Sequence, residues 1–200
     1  ITGLQPETAY DLYYLCQDNA GNYALRVEKM TIHTADGQGP TFIRQYFGVE
    51  ETTNPKADDD VCLEFSENLC SSGSIQTDFL TLYQDLTNST DRETAVANFV
   101  TALKESIVLY RLTSNGPVRV KDPLEDPDNW GIDYSKIKVE KVSGSNHLKL
   151  TFPTAGSEPA LRLTRGSTYH FVFSKLTDNA TPKNPMVDAE TNETVNSITA

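Results

Sequence analysis

Cysteine is scarce, basic residues are outnumbered, and long apolar runs are missing from this 200-residue chain. Only 17 Lys+Arg face 28 Asp+Glu, a net charge of −11. A phosphate backbone would repel so acidic a surface, which argues against a nucleic-acid partner. No apolar run approaches the roughly 18 residues of a membrane span. No basic segment followed by an apolar stretch marks a signal peptide. The opening Ile1-Thr2-Gly3-Leu4 reads as a cut, with any secretion signal removed or lying upstream. The 11 glycines are scattered in turns, so no phosphate-cradling loop is visible. There is no Gly-x-Ser-x-Gly elbow. His33, His147 and His170 lie far apart without ligand spacing and read as strand positions. Acidic pairs suited to glycoside hydrolysis arise by chance among 28 acids. No catalytic residue, cofactor site or metal site is assigned, and the chain reads as non-enzymatic.

What is present points to β structure. Hydrophobic residues make up 38% and aromatics 9%, enough for a core if element faces alternate. The length suits one large or two small domains. Tyr10, Leu12 and Tyr14 fall at every second position within residues 4–16, the mark of a half-buried strand. Asp18-Asn19-Ala20-Gly21-Asn22 is a turn cluster, and Leu25, Val27, Thr31 and Ile32 mark a return strand over residues 23–34. Residues 37–40 read as a linker.

The series Leu4-x-Pro6-x-Thr8-x-Tyr10, then Asp18-x-x-Gly21-Asn22, then Thr34, resembles the last two strands of a fibronectin type III domain. The resemblance covers residues 1–36 and implies a tyrosine corner at Tyr10, its hydroxyl bonding back to nearby backbone. A two-stranded hairpin of this size buries too little to stand alone. Its face, with Tyr10, Leu12 and Tyr14, is then an assembly face. The next domain, further residues upstream or strands of a neighbouring copy would cover it.

Residues 41–200 read as a second unit. Phe42 to Phe47 is a short strand, and Val61, Leu63 and Phe65 alternate. The stretch Val61-Cys62-Leu63-Glu64-Phe65-Ser66-Glu67 resembles the second strand of bacterial Ig-like modules. Thr90 with Glu93 makes a capping box, and Val96, Phe99, Val100 and Leu103 follow helical spacing over residues 90–105. That helix either binds a partner or caps an end of the sandwich. Further strands are read at 107–112, 136–142, 148–152 and 169–173, with a last one near 195–199. Turns at Ser114-Asn115-Gly116 and 143–146 join two hairpins. Tyr169 with Asp178-Asn179-Ala180 repeats Tyr10 with Asp18-Asn19-Ala20 about 160 residues on. The expected fold is therefore all-β: an Ig-like or fibronectin type III-like sandwich over 41–200 with one inserted amphipathic helix, preceded by an incomplete sandwich hairpin.

Three cysteines are an odd count. A Cys62–Cys70 disulfide would close a loop of about nine residues and contribute about 2.5 kcal/mol; two free thiols are the alternative. Cys16 reads as a buried thiol or as half of an intermolecular bridge. Two acidic loops, Asp58-Asp59-Asp60 with Glu50 and Glu51, and Asp122, Glu125, Asp126 and Asp128, are either solvated or calcium-binding, without EF-hand spacing. Sequons at Asn88, Asn179 and Asn192 are glycosylation candidates if the chain is secreted by a eukaryote. The function expected is a structural or adhesive module of an extracellular surface protein or filament. It would assemble end to end with other copies or neighbouring modules. The alternative is an accessory carbohydrate-binding module of a secreted enzyme, with Trp130 and Tyr134 as an aromatic platform. A receptor-type ligand-binding ectodomain is a weaker third reading.

Overall fold

A computed structural model describes residues 8–15, 17, 19, 21–23, 27–33, 39–48, 56, 58–179, 183–186 and 193–199, with backbone alone at 14, 28, 33 and 193–199. The chain divides into two compact units, one formed by residues 1–38 with 180–182 and the other by 39–179 with 183–200. Among the described residues the architecture is mostly antiparallel β, with two α-helices.

The first unit is a ribbon of β1 (Ala9–Tyr14) and β2 (Glu28–His33), with Tyr10 opposite Ile32 and Leu12 opposite Met30. Directly opposed residues share a face. Tyr10, Leu12, Ile32 and Met30 therefore make an apolar side. Asp11 sits on the other, bound to Lys29 Nζ at 2.8 Å and to Thr31 Oγ1 at 2.8 Å. Gly21 takes φ +92°, the left-handed region that the reversal requires, and accepts a hydrogen bond from Gln17 Nε2.

The second unit holds two four-stranded antiparallel sheets. β3 (Phe42–Phe47), β4 (Val61–Phe65), β8 (Lys138–Lys141) and β9 (Leu148–Phe152) pair in the order β3-β4-β9-β8. β6 (Ile107–Thr113), β7 (Gly116–Arg119), β10 (Thr168–Ser174) and β12 (Glu193–Thr199) pair in the order β12-β10-β6-β7. Short β5 (Cys70–Ser71) and β11 (Leu176–Thr177) pair with each other.

Alternation decides which side chains enter the core. In β10 Tyr169, Phe171 and Phe173 are buried while their neighbours are half-buried. The sheets meet through rings: Phe173 lies 5.6 Å from Phe42 and 5.3 Å from Phe65, and Phe152 lies 5.0 Å from Phe171.

Two helices close on the same core, α1 (Phe79–Asn88) and α2 (Arg92–Ser106). Only the second was expected. Phe79, Leu82, Tyr83 and Leu86 give α1 its helical stripe, and the Asp78 carboxylate caps it by accepting from Thr81 N–H at 2.9 Å. The cap of α2 is Asp91, which accepts from Thr94 N–H at 3.1 Å, rather than the expected Thr90. Its carboxylate offers a charged acceptor one residue further on. Tyr83 and Phe99 join the helices with ring centroids 5.8 Å apart.

Candidate functional site

The irregular segment between β7 and β8 builds the most distinctive site. Asp122 anchors it. Its side chain is buried, and Oδ1 accepts from the Leu124 and Glu125 N–H groups at 3.0 Å each. Oδ2 lies 2.5 Å from Lys104 Nζ, which reaches across from α2. Glu125 bonds Arg119 at 2.7 Å and Lys104 at 3.2 Å. The Arg119 hydrogen bond is the main cause that lowers the Glu125 carboxyl from 4.5 to about 2; burial opposes it, and the Asp122 N–H and Lys104 assist. Because the folded value is depressed, the stability Glu125 contributes is full above pH 4.5 and is lost as pH falls towards 2. Denaturation midpoints followed through that window should fall for the parent chain. Glu125→Gln, lower at neutral pH, should show a flatter acid limb.

Downstream, Gly131 N–H donates to Lys121 O at 2.9 Å and Gly131 O accepts from Arg162 N–H at 2.9 Å. A Cβ on Gly131 would lie 2.5 Å from Val120 Cγ1, so any larger residue here would have to displace the Val120 side chain. Tyr134 then drops into the core and donates from its hydroxyl to Ile107 O at 2.8 Å. Burial, the largest influence, raises its pKa and keeps the phenol a donor. Tyr134→Phe should lower stability by about 1–2 kcal/mol in urea titration, the loss of one buried hydrogen bond.

The result is a cleft of about 570 Å³ beside Trp130. The Arg162 guanidinium sits 3.8 Å from the indole centroid, a cation–π stack. Arg111 extends the inward phase of β6 after Ile107 and Leu109, so the strand leaves the core and enters the cleft at this residue. Tyr169 closes the floor, its hydroxyl accepting from Thr164 N–H at 2.7 Å.

A second charged cluster lies on the outer face of the β3-β4-β9-β8 sheet. Buried Glu64 binds Arg44 Nε and His147 Nδ1 at 2.7 Å each. Burial opposes its ionisation, but these two partners outweigh it and hold the carboxyl below its ordinary range. The cluster ties β3 and the turn after β8 to central β4.

Several expected sites change. The Cys62–Cys70 bridge is not formed: both thiols are free and buried. Cys62 points off the outer face with Glu64 and meets Gly48 O at 3.5 Å and Thr151 Oγ1 at 3.8 Å, whereas Cys70 donates to Asn179 Oδ1 at 3.4 Å. Burial raises both thiol pKa values. The proposed platform loses Tyr134 to the core. Of the acidic loop considered for calcium, Asp122, Glu125 and Asp126 instead hold Lys104, Arg119 and Lys121. In the other loop Asp59 caps its own turn, accepting from Lys56 N–H, while Glu50 and Glu51 lie outside the described residues.

Asn88 is exposed at the end of α1 and Asn179 is exposed after β11; Asn192 and Cys16 lie outside the described residues. Tyr10 and Leu12 share the ribbon's apolar face, and Tyr14 pairs with Glu28 through its backbone. His170 is half-buried on β10, far in sequence from His147. Sequence reasoning missed Arg111, Arg162 and Glu64. The signal for the first was present, since an arginine at the inward phase of a strand needs a reason. No protein-family model, no curated protein and no solved structure matches the chain.

Proposed function

We propose that this chain is a non-enzymatic structural or adhesive part of an extracellular surface protein or filament, built from Ig-like or fibronectin type III-like modules that assemble end to end. The observation that carries the reading is the two-stranded ribbon. It presents Tyr10, Leu12, Ile32 and Met30 on one side, the first three half-buried and Met30 48% exposed. Two strands bury too little to hold such a face alone, and β-strands of a like module, from the same or another chain, have the period to complete it. The aromatic core shared by two antiparallel sheets and the Tyr169–Thr164 bond favour the sandwich family for the second unit. Exposed Asn88 and Asn179 suit N-linked glycans on a secreted chain. Sedimentation velocity across a concentration series, with electron microscopy of the largest species, tests the reading. Oligomers growing along one axis are expected where the completing strands come from another chain, and a monomer at every concentration whose ribbon amides are nevertheless fully protected from exchange would refute it.

A further inference from the structure

The cleft beside Trp130 carries charge opposite to that of the chain as a whole. Of its four cations, Arg119 is paired with Glu125 and Lys121 with Asp126. Arg111 and Arg162 have no carboxylate within ion-pair distance among the described residues. Two unneutralised guanidiniums in one concavity are notable in a chain of net charge −11. Arg162 is also held in place, its Cζ lying 3.8 Å over the indole centroid. A guanidinium fixed in this way loses little freedom on taking a planar oxyanion, which it meets with paired N–H donors.

Asp128 and Asn129, an acid and an amide, also line the cleft. These suit hydroxyl groups, as acceptor and donor. Asp126 and Asp128 oppose a ligand of dense negative charge, such as a nucleic acid or an acidic peptide. A ligand with separated acid groups and many hydroxyls meets both requirements. We propose that this cleft binds a segment of an acidic glycan, with Arg111 and Arg162 taking its carboxylate or sulfate oxygens and Asp128 and Asn129 its hydroxyls. The site differs from a neutral-sugar platform, because Tyr134 is buried and the guanidinium covers one indole face. It is independent of end-to-end assembly.

Trp130 is the chain's only tryptophan, so its fluorescence reads the cleft directly. The full chain would be titrated with oligogalacturonate, which carries carboxylates alone, with a κ-carrageenan oligosaccharide, which carries widely spaced sulfates alone, with a neutral oligosaccharide of equal length and with oligoglutamate of equal charge, with calorimetry alongside. One or both acidic sugars should bind and change the emission, and the one that binds identifies the acid group as carboxylate or sulfate. Arg111→Ala and Arg162→Ala should each weaken binding by about tenfold or more, the loss of a charged hydrogen bond, with both variants still fully folded at the titration temperature. Arg162→Lys keeps the charge without the planar fork and should fall between. Equal binding of the neutral sugar, equal binding of oligoglutamate, no binding of either acidic sugar at millimolar concentration, or unaltered affinity in both alanine variants would each overturn the proposal.

Discussion

Phe173→Ala should unfold the second unit more easily than any surface change, lowering its stability by about 3–5 kcal/mol. Phe173 is 1% exposed on β10, between β6 and β12, and its ring touches Phe42 and Phe65 of the opposing sheet. Truncation removes the transfer free energy of a phenyl ring and leaves a hole that rigid strands on both sides close only in part. Two inter-sheet ring pairs also vanish, each worth about 0.5–1.5 kcal/mol beyond area. Phe173→Leu keeps most of the volume and should cost clearly less. Chemical denaturation of both variants checks the order. Equal losses would mean that the sheets do not interlock through this ring.

Asp122→Ala should have the second largest effect, about 2–4 kcal/mol. Three partners depend on one buried carboxylate: the N–H groups of Leu124 and Glu125, and Lys104 from α2. Lys104 keeps Glu125 and is 31% exposed, so it is not stranded without water, which sets the range below that of a fully buried broken pair. Asp122→Asn keeps the Oδ1 acceptor and loses the charge, and should cost about half as much. Because the same segment supports Trp130, Asp122→Ala should also shift the tryptophan emission, whereas Phe173→Leu should not. An Asp122→Ala chain with parental stability would show that the loop is organised from elsewhere.

The strands with a buried face were legible because period two is written in the residues. Val61, Leu63 and Phe65, and Tyr169, Phe171 and Phe173, all enter the core as alternation requires. The stripe of α2 was legible for the same reason. α1 escaped notice although Phe79, Leu82, Tyr83 and Leu86 carry the pattern and Asp78 stands ready as cap. The cap of α2 was misplaced by one residue, since Thr90 and Asp91 are both competent and only the geometry selects between them. What sequence does not hold is direction and distance between remote residues. An eight-residue spacing suggested a disulfide, but Cys62 projects from the outer face of β4 while Cys70 turns to Asn179. Lys104 and Asp122, or Arg44, Glu64 and His147, meet only after the sheets form, and no local periodicity links them. Trp130 was noticed as an aromatic in a loop. That Arg162 lies over it follows from the bridge between Ile132 and Leu161, a tertiary event.

The claim that β1 and β2 are completed by strands from outside the ribbon is tested most directly by hydrogen exchange. The account predicts that in the dilute monomer the amides of Ala9–Tyr14 and Glu28–His33 exchange far faster than those of Val61–Phe65 and Thr168–Ser174, and become protected as assembly proceeds. Protection of the ribbon equal to that of β4 and β10 in a chain that stays monomeric would contradict it.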